Sequence, residues 1–204
     1  DQSFTYDVRA RVPGDYRATG LGKVTREEAA GSALYRVVQR RPVNDMVLAG
    51  SRDLRTRVVG EAFRIRLSHV DLSPEEVDRV AVDAADLLDR FGGWFGPSKL
   101  RELEFLFSPR EKGGGYARPG LVVMQLDEDT DVAGEGFLRY LAHEVAHLWW
   151  VGASYDSWQD WLNESFAEYA ALMLLRDRLG SEAMDQRIRD YRVAADSTPP
   201  IRGL

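Results

Sequence analysis

An α+β fold, with strands gathered early in the chain and helices late, is predicted by three observations. Residues 4–12 (FTYDVRARV) alternate apolar and polar side chains, and further strand-like runs follow up to residue 70. One well-capped helix then separates these runs from a second group of strand-like segments. From Gly136 onward the apolar spacing is helical. Strands followed by helices suit an α+β arrangement with segregated elements.

The elements follow in order. After 4–12, the runs Ala33–Gln39, Met46–Gly50, Thr56–Val59 and Ala62–Val70 read as strands divided by Gly and Pro turns. Ser73-Pro74-Glu75-Glu76 is a helix start, with a serine cap, proline in the first turn and a capping-box glutamate. That helix is expected to reach about Phe91 and stop at Gly92-Gly93. Leu100–Phe107 and Leu121–Leu126 read as strands flanking a glycine-rich loop at 113–115. A helix over Gly136–Trp150 follows. Next comes one closed by Gly180, and then another over Glu182–Val193. Residues 1–50 read as the C-terminal part of a β-rich domain, and 51–204 as a second domain. The ending STPPIRGL offers no closing element, so the second domain is expected to continue past Leu204.

Composition narrows the function classes. At 204 residues the chain can bury a real core. A formal charge of −6 gives no electrostatic footprint for nucleic acid, and the cluster Arg36, Arg40 and Arg41 reads as a solvated strand face. No apolar run approaches the roughly twenty residues of a membrane span. The absence of cysteine removes disulfides, thiol catalysis and thiolate ligands. The first residue is Asp rather than Met, which leaves a removed leader or upstream domain open. Compartment and oligomeric state are undetermined by the sequence.

The chemistry lies in His143-Glu144-Val145-Ala146-His147 and in Trp161-Leu162-Asn163-Glu164. Residues four apart share a helix face, so both imidazoles can reach one metal ion. Glu144 projects about 100° round the helix, near a metal-activated water but unable to compete as a ligand. Glu164 can supply the third ligand. Two histidines, one carboxylate and an open position suit a catalytic rather than a structural zinc ion. A chance H-E-x-x-H match is the alternative. Against chance, two of only three histidines fall in the pattern. The helix GFLRYLAHEVAHLWW carries only Arg139 and Glu144 as charges, and the next helix places Glu164 and Glu168 on a stripe with Trp161, Leu172, Leu175 and Leu179. Burying these polar groups together is costly unless a metal satisfies them. Asn163 and Glu168 are placed behind the ligands. Glu168 either accepts a hydrogen bond from a ligand imidazole or faces solvent.

These segments resemble the aminopeptidase N-like gluzincin peptidases. HEVAHLWW at 143–150 matches the family's H-E-x-x-H helix, and WLNESFAEY at 161–169 its W-L-N-E-G-F-A segment. Gly114-Gly115-Tyr116-Ala117-Arg118-Pro119-Gly120-Leu121 is a weaker echo of G-A-M-E-N followed by Gly-Leu. The resemblance covers residues 50–180 in outline and implies a thermolysin-like catalytic domain. That domain has a mixed sheet with one long helix, then a helical part carrying H-E-x-x-H and one Zn2+. It also implies a peptide substrate lying along Gly115, Tyr116, Ala117 and Arg118. Two departures stand out. Sixteen residues separate His147 from Glu164 where the family has eighteen, and Ala117 replaces the glutamate that in the family holds the substrate's amino terminus. An alanine cannot pair with an ammonium, so Arg118 is expected to favour blocked or acidic amino termini unless Glu135 or Asp127 substitutes as anchor.

Two functions follow. The first is a zinc peptidase in which Glu144 takes a proton from the activated water and passes it to the leaving amine. The second is a binding or scaffold module that keeps the zinc ion and hydrolyses little. The family's oxyanion tyrosine lies well downstream of the ligand glutamate, and Tyr191 looks too early for that role. Three secondary features complete the reading. Gly113-Gly114-Gly115 lacks the Lys-Ser/Thr of a phosphate loop. His69 beside Ser68 and Asp71 reads as structural. Trp149, Trp150, Tyr155, Trp158 and Trp161 read as core packing rather than a stacking wall.

Overall fold

The computed structural model describes residues 3–61, 63–109, 114–127, 129–153 and 157–197. The N-terminal region contains β1 (Phe4–Pro13), β2 (Arg17–Gly20), β3 (Lys23–Ala29), β4 (Ser32–Val43) and β5 (Leu48–Ser51). The alternation of residues 4–12 becomes β1, which pairs antiparallel with β4, and β4 pairs antiparallel with β3 on its other side. Strands β2 and β3 have no counterpart in the sequence reading. KVTREEA is almost wholly exposed and charged, which blunts an edge but leaves no apolar alternation to read. Strands β2 and β5 form a separate antiparallel pair.

A second sheet holds β6 (Arg55–Val59), β7 (Arg64–His69), β8 (Glu102–Pro109), β9 (Tyr116–Arg118) and β10 (Leu121–Leu126), in the spatial order β6-β7-β8-β10-β9. The one long helix expected between the strand groups connects two strands of this mixed sheet. Strands β7, β8 and β10 run parallel, and α1 (Pro74–Phe95) forms the crossover between β7 and β8. The capping box forms as the sequence predicts. Ser73 Oγ accepts from the Glu76 backbone, and the Ser73 backbone donates to the Glu76 carboxylate at 2.8 Å. The helix does not stop at Gly92-Gly93 but continues to Phe95 and ends at Gly96, whose φ is +91°. Two helical glycines cost roughly 0.5–1 kcal/mol each relative to alanine. The rings of Phe91 and Phe95 offset this by packing against Trp149, 5.9 and 6.3 Å away between centroids.

The two faces of this sheet serve different cores, as period-two alternation requires. Leu103, Phe105, Phe107, Val122 and Met124 face the helices, whereas Leu106, Leu121 and Val123 join Leu21, Val43, Val47 and Leu54 of the N-terminal region. A buried carboxylate fastens the second contact. Glu104 accepts from Thr19 on β2 and from Ser68 on β7, each at 2.6 Å. A lone buried carboxylate would be expensive, and these donors satisfy it.

The remaining helices are α2 (Glu135–Ala146), α3 (Asp160–Leu179) and α4 (Ser181–Asp196). Helix α2 ends at Ala146, four residues before Trp150, because the chain turns at Leu148–Trp150. It does so through bonds to the carbonyls of Val145 and Ala146. His147 is the C-cap and keeps helical torsions (φ −61°, ψ −12°), so it stays on the face of His143. The stripe on α3 is only partly apolar. Leu172 and Leu175 are buried, while Trp161 and Leu179 lie exposed at the two ends. No helix among the described residues is long and apolar enough to cross a membrane.

Candidate metal centre

Helix α2 packs on α3 through Leu138, Leu141, Ala142 and Val145 against Ala167, Ala170, Ala171 and Leu174. The alanines let the two helices approach closely, and this brings His143 and His147 up to Glu164. One ligand atom from each of the three lies within 4.8 Å of the others. The Glu164 carboxylate is 3.1 Å from His143 Nε2 and 3.6 Å from His147 Nε2.

The outer nitrogens fix the inner ones. His143 Nδ1 donates to the Glu168 carboxylate at 2.9 Å, and His147 Nδ1 donates to the Trp150 carbonyl at 2.9 Å. With Nδ1 carrying the proton, each Nε2 presents a lone pair toward Glu164. Three acceptors then converge on one point. A proton could satisfy one pair of them, but a divalent ion satisfies all three, so the donor set fits zinc.

Glu144 lies beside this group and is only 4% exposed. Its Oε2 is buried without a hydrogen-bond partner. In the protein alone, burial pushes its carboxyl up to about 7. Protonation of His143 would oppose this, the Glu164 carboxylate adds to it, and Arg118 opposes it. Gly115 explains how the carboxylate is accommodated. A Cβ at that position would lie 2.5 Å from Glu144 Oε1 and 2.5 Å from the Tyr140 hydroxyl. The backbone at the start of β9 therefore lies directly on the Glu144 carboxyl. Tyr140 was not singled out from the sequence, although it sits four residues before Glu144 on the same helix face.

Glu168 has more partners than the sequence suggests. It accepts from His143 at 2.9 Å, from Arg139 Nη1 at 2.8 and 2.9 Å, and from the Tyr191 hydroxyl. Burial acts to raise its pKa, yet the bonds from His143 and Tyr191 and the Arg139 charge outweigh it and hold the carboxyl down at about 2. Burial and the Glu168 carboxylate push Tyr191 up to about 12. The Tyr191 hydroxyl is thus committed to Glu168, behind the ligand group. Asn163 points elsewhere: its Oδ1 accepts from the Ala153 backbone, and its Nδ2 donates to the Ala153 carbonyl and to Asp160, all at 3.0 Å. It pins the connection between the helices rather than touching a ligand side chain.

The rim opposite α3 is β9, the edge strand of the second sheet. Tyr116 is half-buried and Ala117 is 6% exposed. Arg118 is bound to Asp45, with Nε 3.0 Å from both carboxylate oxygens and Nη2 at 2.8 Å, and it lies over the Tyr116 ring. Asp45 was not anticipated, and no spacing in the sequence links it to residue 118. Asp127 is tied to Thr130 in the loop before α2, while Glu135 opens that helix two turns before His143. Ser68 donates to Glu104 rather than to His69, so no triad forms. The aromatic group divides. Trp149 and Trp150 pack on the main core, whereas Trp158 and Trp161 are 64% and 53% exposed; Tyr155 and Gly113 lie outside the described residues.

No family profile matches this sequence, and no curated protein matches it either. Solved structures do. A variant of an M1 zinc metallopeptidase from Deinococcus radiodurans, bound to a Tyr-Ser-Ala substrate, superposes with a TM-score of 0.73 at 23% identity over 97% of this chain. Another structure of the M1 zinc metallopeptidase from Deinococcus radiodurans gives 0.67 at 22% identity over 98%. A two-domain M1 zinc metallopeptidase variant bound to L-tryptophan gives 0.68 at 22% over 97%. Each match covers 46% of the other chain, so this chain spans less than half the length of the proteins it resembles. Identity this low shows a shared fold.

Proposed function

We propose that this chain carries the metal-binding core of a zinc peptidase, in a thermolysin-like domain of the gluzincin type. The observation that carries the reading is the convergence of His143, His147 and Glu164 beside a buried, unpartnered carboxylate, in a fold shared with zinc metallopeptidases. Zinc held by these three residues would supply a Lewis acid that acidifies water and polarises a carbonyl. The protein's own groups do the rest. Glu144, buried beside the three converging groups with no hydrogen-bond partner for its Oε2, can accept a proton from the attacking water and return it to the leaving amine nitrogen. Glu168 and the Trp150 carbonyl hold the imidazoles in the metal-binding tautomer. Gly115 lets the β9 backbone approach Glu144, so a peptide carbonyl can be presented there without a side chain intervening.

The retained base favours an enzyme over a zinc-bearing module, since a scaffold has no use for a buried carboxylate held over the metal. Specificity is a separate matter. With Ala117 buried and Arg118 bound to Asp45, the rim offers no carboxylate at the strand position where the resembled family holds an amino terminus. We therefore assign no strong preference for free amino termini. The test compares matched peptides with free and acetylated amino termini on the zinc-loaded full-length protein, with and without chelator. Chelator-sensitive cleavage of both forms supports the reading. A preference of a hundredfold or more for the free form would show that another group anchors the ammonium, and no cleavage at all would leave the scaffold reading.

A further inference from the structure

Next to the metal centre is a cavity of about 430 Å³ whose lining includes His147 and Ala117. Its walls are apolar, formed chiefly by Phe95, Leu148 and Trp149. Its charged groups are all cationic. Arg41 arrives from the end of β4, Lys99 from the segment after α1, and Arg118 from β9. No carboxylate is among the described residues lining it. Arg118 is already matched by Asp45, but Arg41 and Lys99 have no ion-pair partner among the described residues. Two unmatched cations over a hydrophobic wall, in a hollow that reaches a metal ligand, form a receptor for an anionic group with an apolar stem.

We propose that this cavity binds a carboxylate of the peptide substrate, held by Arg41 and Lys99. The inference rests on the peptidase reading and extends it to a substrate class. The carboxylate has two possible sources: the substrate's own carboxyl terminus, or an Asp or Glu side chain near the cleaved bond. The N-terminal β region then does more than brace the sheet, since Arg41 brings its charge to the cleft. It also accounts for the rim. Where the resembled family places an anion to hold an ammonium, this chain has an alanine and a neighbouring hollow of the opposite charge.

Binding decides the matter independently of turnover. The zinc-loaded full-length protein carrying Glu144→Gln is titrated calorimetrically with three peptides of one sequence: one with Glu and a free carboxyl terminus, one with Gln replacing Glu, and one amidated. The expected result is at least tenfold weaker binding on removal of one of the two carboxylates, and the peptide that loses affinity identifies the source. Adding Arg41→Gln and Lys99→Gln should bring that ratio to within about twofold. The single charge reversal Lys99→Glu, at an exposed position, should by itself abolish the preference, because the introduced carboxylate offsets the charge of Arg41. Equal binding of all three peptides, or a preference that survives loss of both cations, overturns the proposal. Absence of turnover in the unsubstituted protein alongside a carboxylate preference would overturn the peptidase reading and leave this binding assignment in place.

Discussion

The two sides of the cleft are built differently. On the α2–α3 side, His143, Glu144 and His147 at the end of α2 and Glu164 on α3 supply the three converging ligand atoms and the buried carboxylate, and each imidazole is fixed by a bond to its outer nitrogen. On the β9 side, the rim is assembled from positions far apart in sequence. Arg118 meets Asp45 across 73 residues, and Arg41 and Ala117 come from two strands while Lys99 comes from the segment after α1. The first side is rigid by local geometry. The second depends on the whole fold, including the seam where Thr19 reaches Glu104. The proposed chemistry therefore falls on the side that local sequence determines, and the proposed selectivity on the side that it does not.

The largest effect should come from the helical side. Glu144→Gln preserves shape and zinc content but removes the base, so turnover should fall by about 10² to 10⁴. Unchanged turnover in the purified variant would detach the chemistry from this helix. Next is the point where the two sides touch. Gly115→Ala adds a Cβ 2.5 Å from Glu144 Oε1, forcing the carboxyl or the strand to shift. Turnover should drop by about 10- to 100-fold while zinc content stays constant, and a drop confined to zinc content would show that the contact serves the metal instead. Behind the ligands, Glu168→Ala frees His143 Nδ1 and leaves Arg139 and Tyr191 without their acceptor. Zinc affinity, measured by chelator competition, should weaken about 10- to 100-fold.

The smallest effect lies far from the cleft. Burial lowers the pKa of His69, helped by Arg55 and opposed by Asp71 and Glu76. The unfolded chain then binds the proton more readily than the folded one, so stability should decline as pH falls below about 6.5 toward the lowered folded value. In His69→Gln that slope should become shallower, as read from denaturant midpoints across the same pH range, while turnover near neutrality is unaffected. An unchanged slope would show that His69 does not contribute to it.

What the sequence revealed follows the same division. The capping box of α1, the spacing of His143 and His147 and the position of Glu164 are all local patterns; the capping box forms, and one ligand atom from each of the other three lies within 4.8 Å of the others. Local patterns also misled. Gly92-Gly93 looked like a helix stop because glycine's cost is visible in sequence, whereas the aromatic packing that offsets it is not. Strand β3 shows no alternation because it is an exposed edge strand. By sequence Arg41 reads as a solvated face residue, since nothing near it reveals that β4 ends beside the cavity next to His147. Tyr140 could have been found by counting four residues back from Glu144. Asp45 could not.

The proposed catalytic zinc ion is one ion per chain, held by His143, His147 and Glu164 together. This assignment is tested most directly by stripping the protein with chelator, titrating zinc back, and recording bound metal and peptide cleavage at each step. Cleavage should rise linearly with zinc and saturate at one ion per chain, and Glu164→Ala should weaken zinc binding and activity together. Saturation of cleavage without zinc, or full zinc binding and activity in Glu164→Ala, would contradict it.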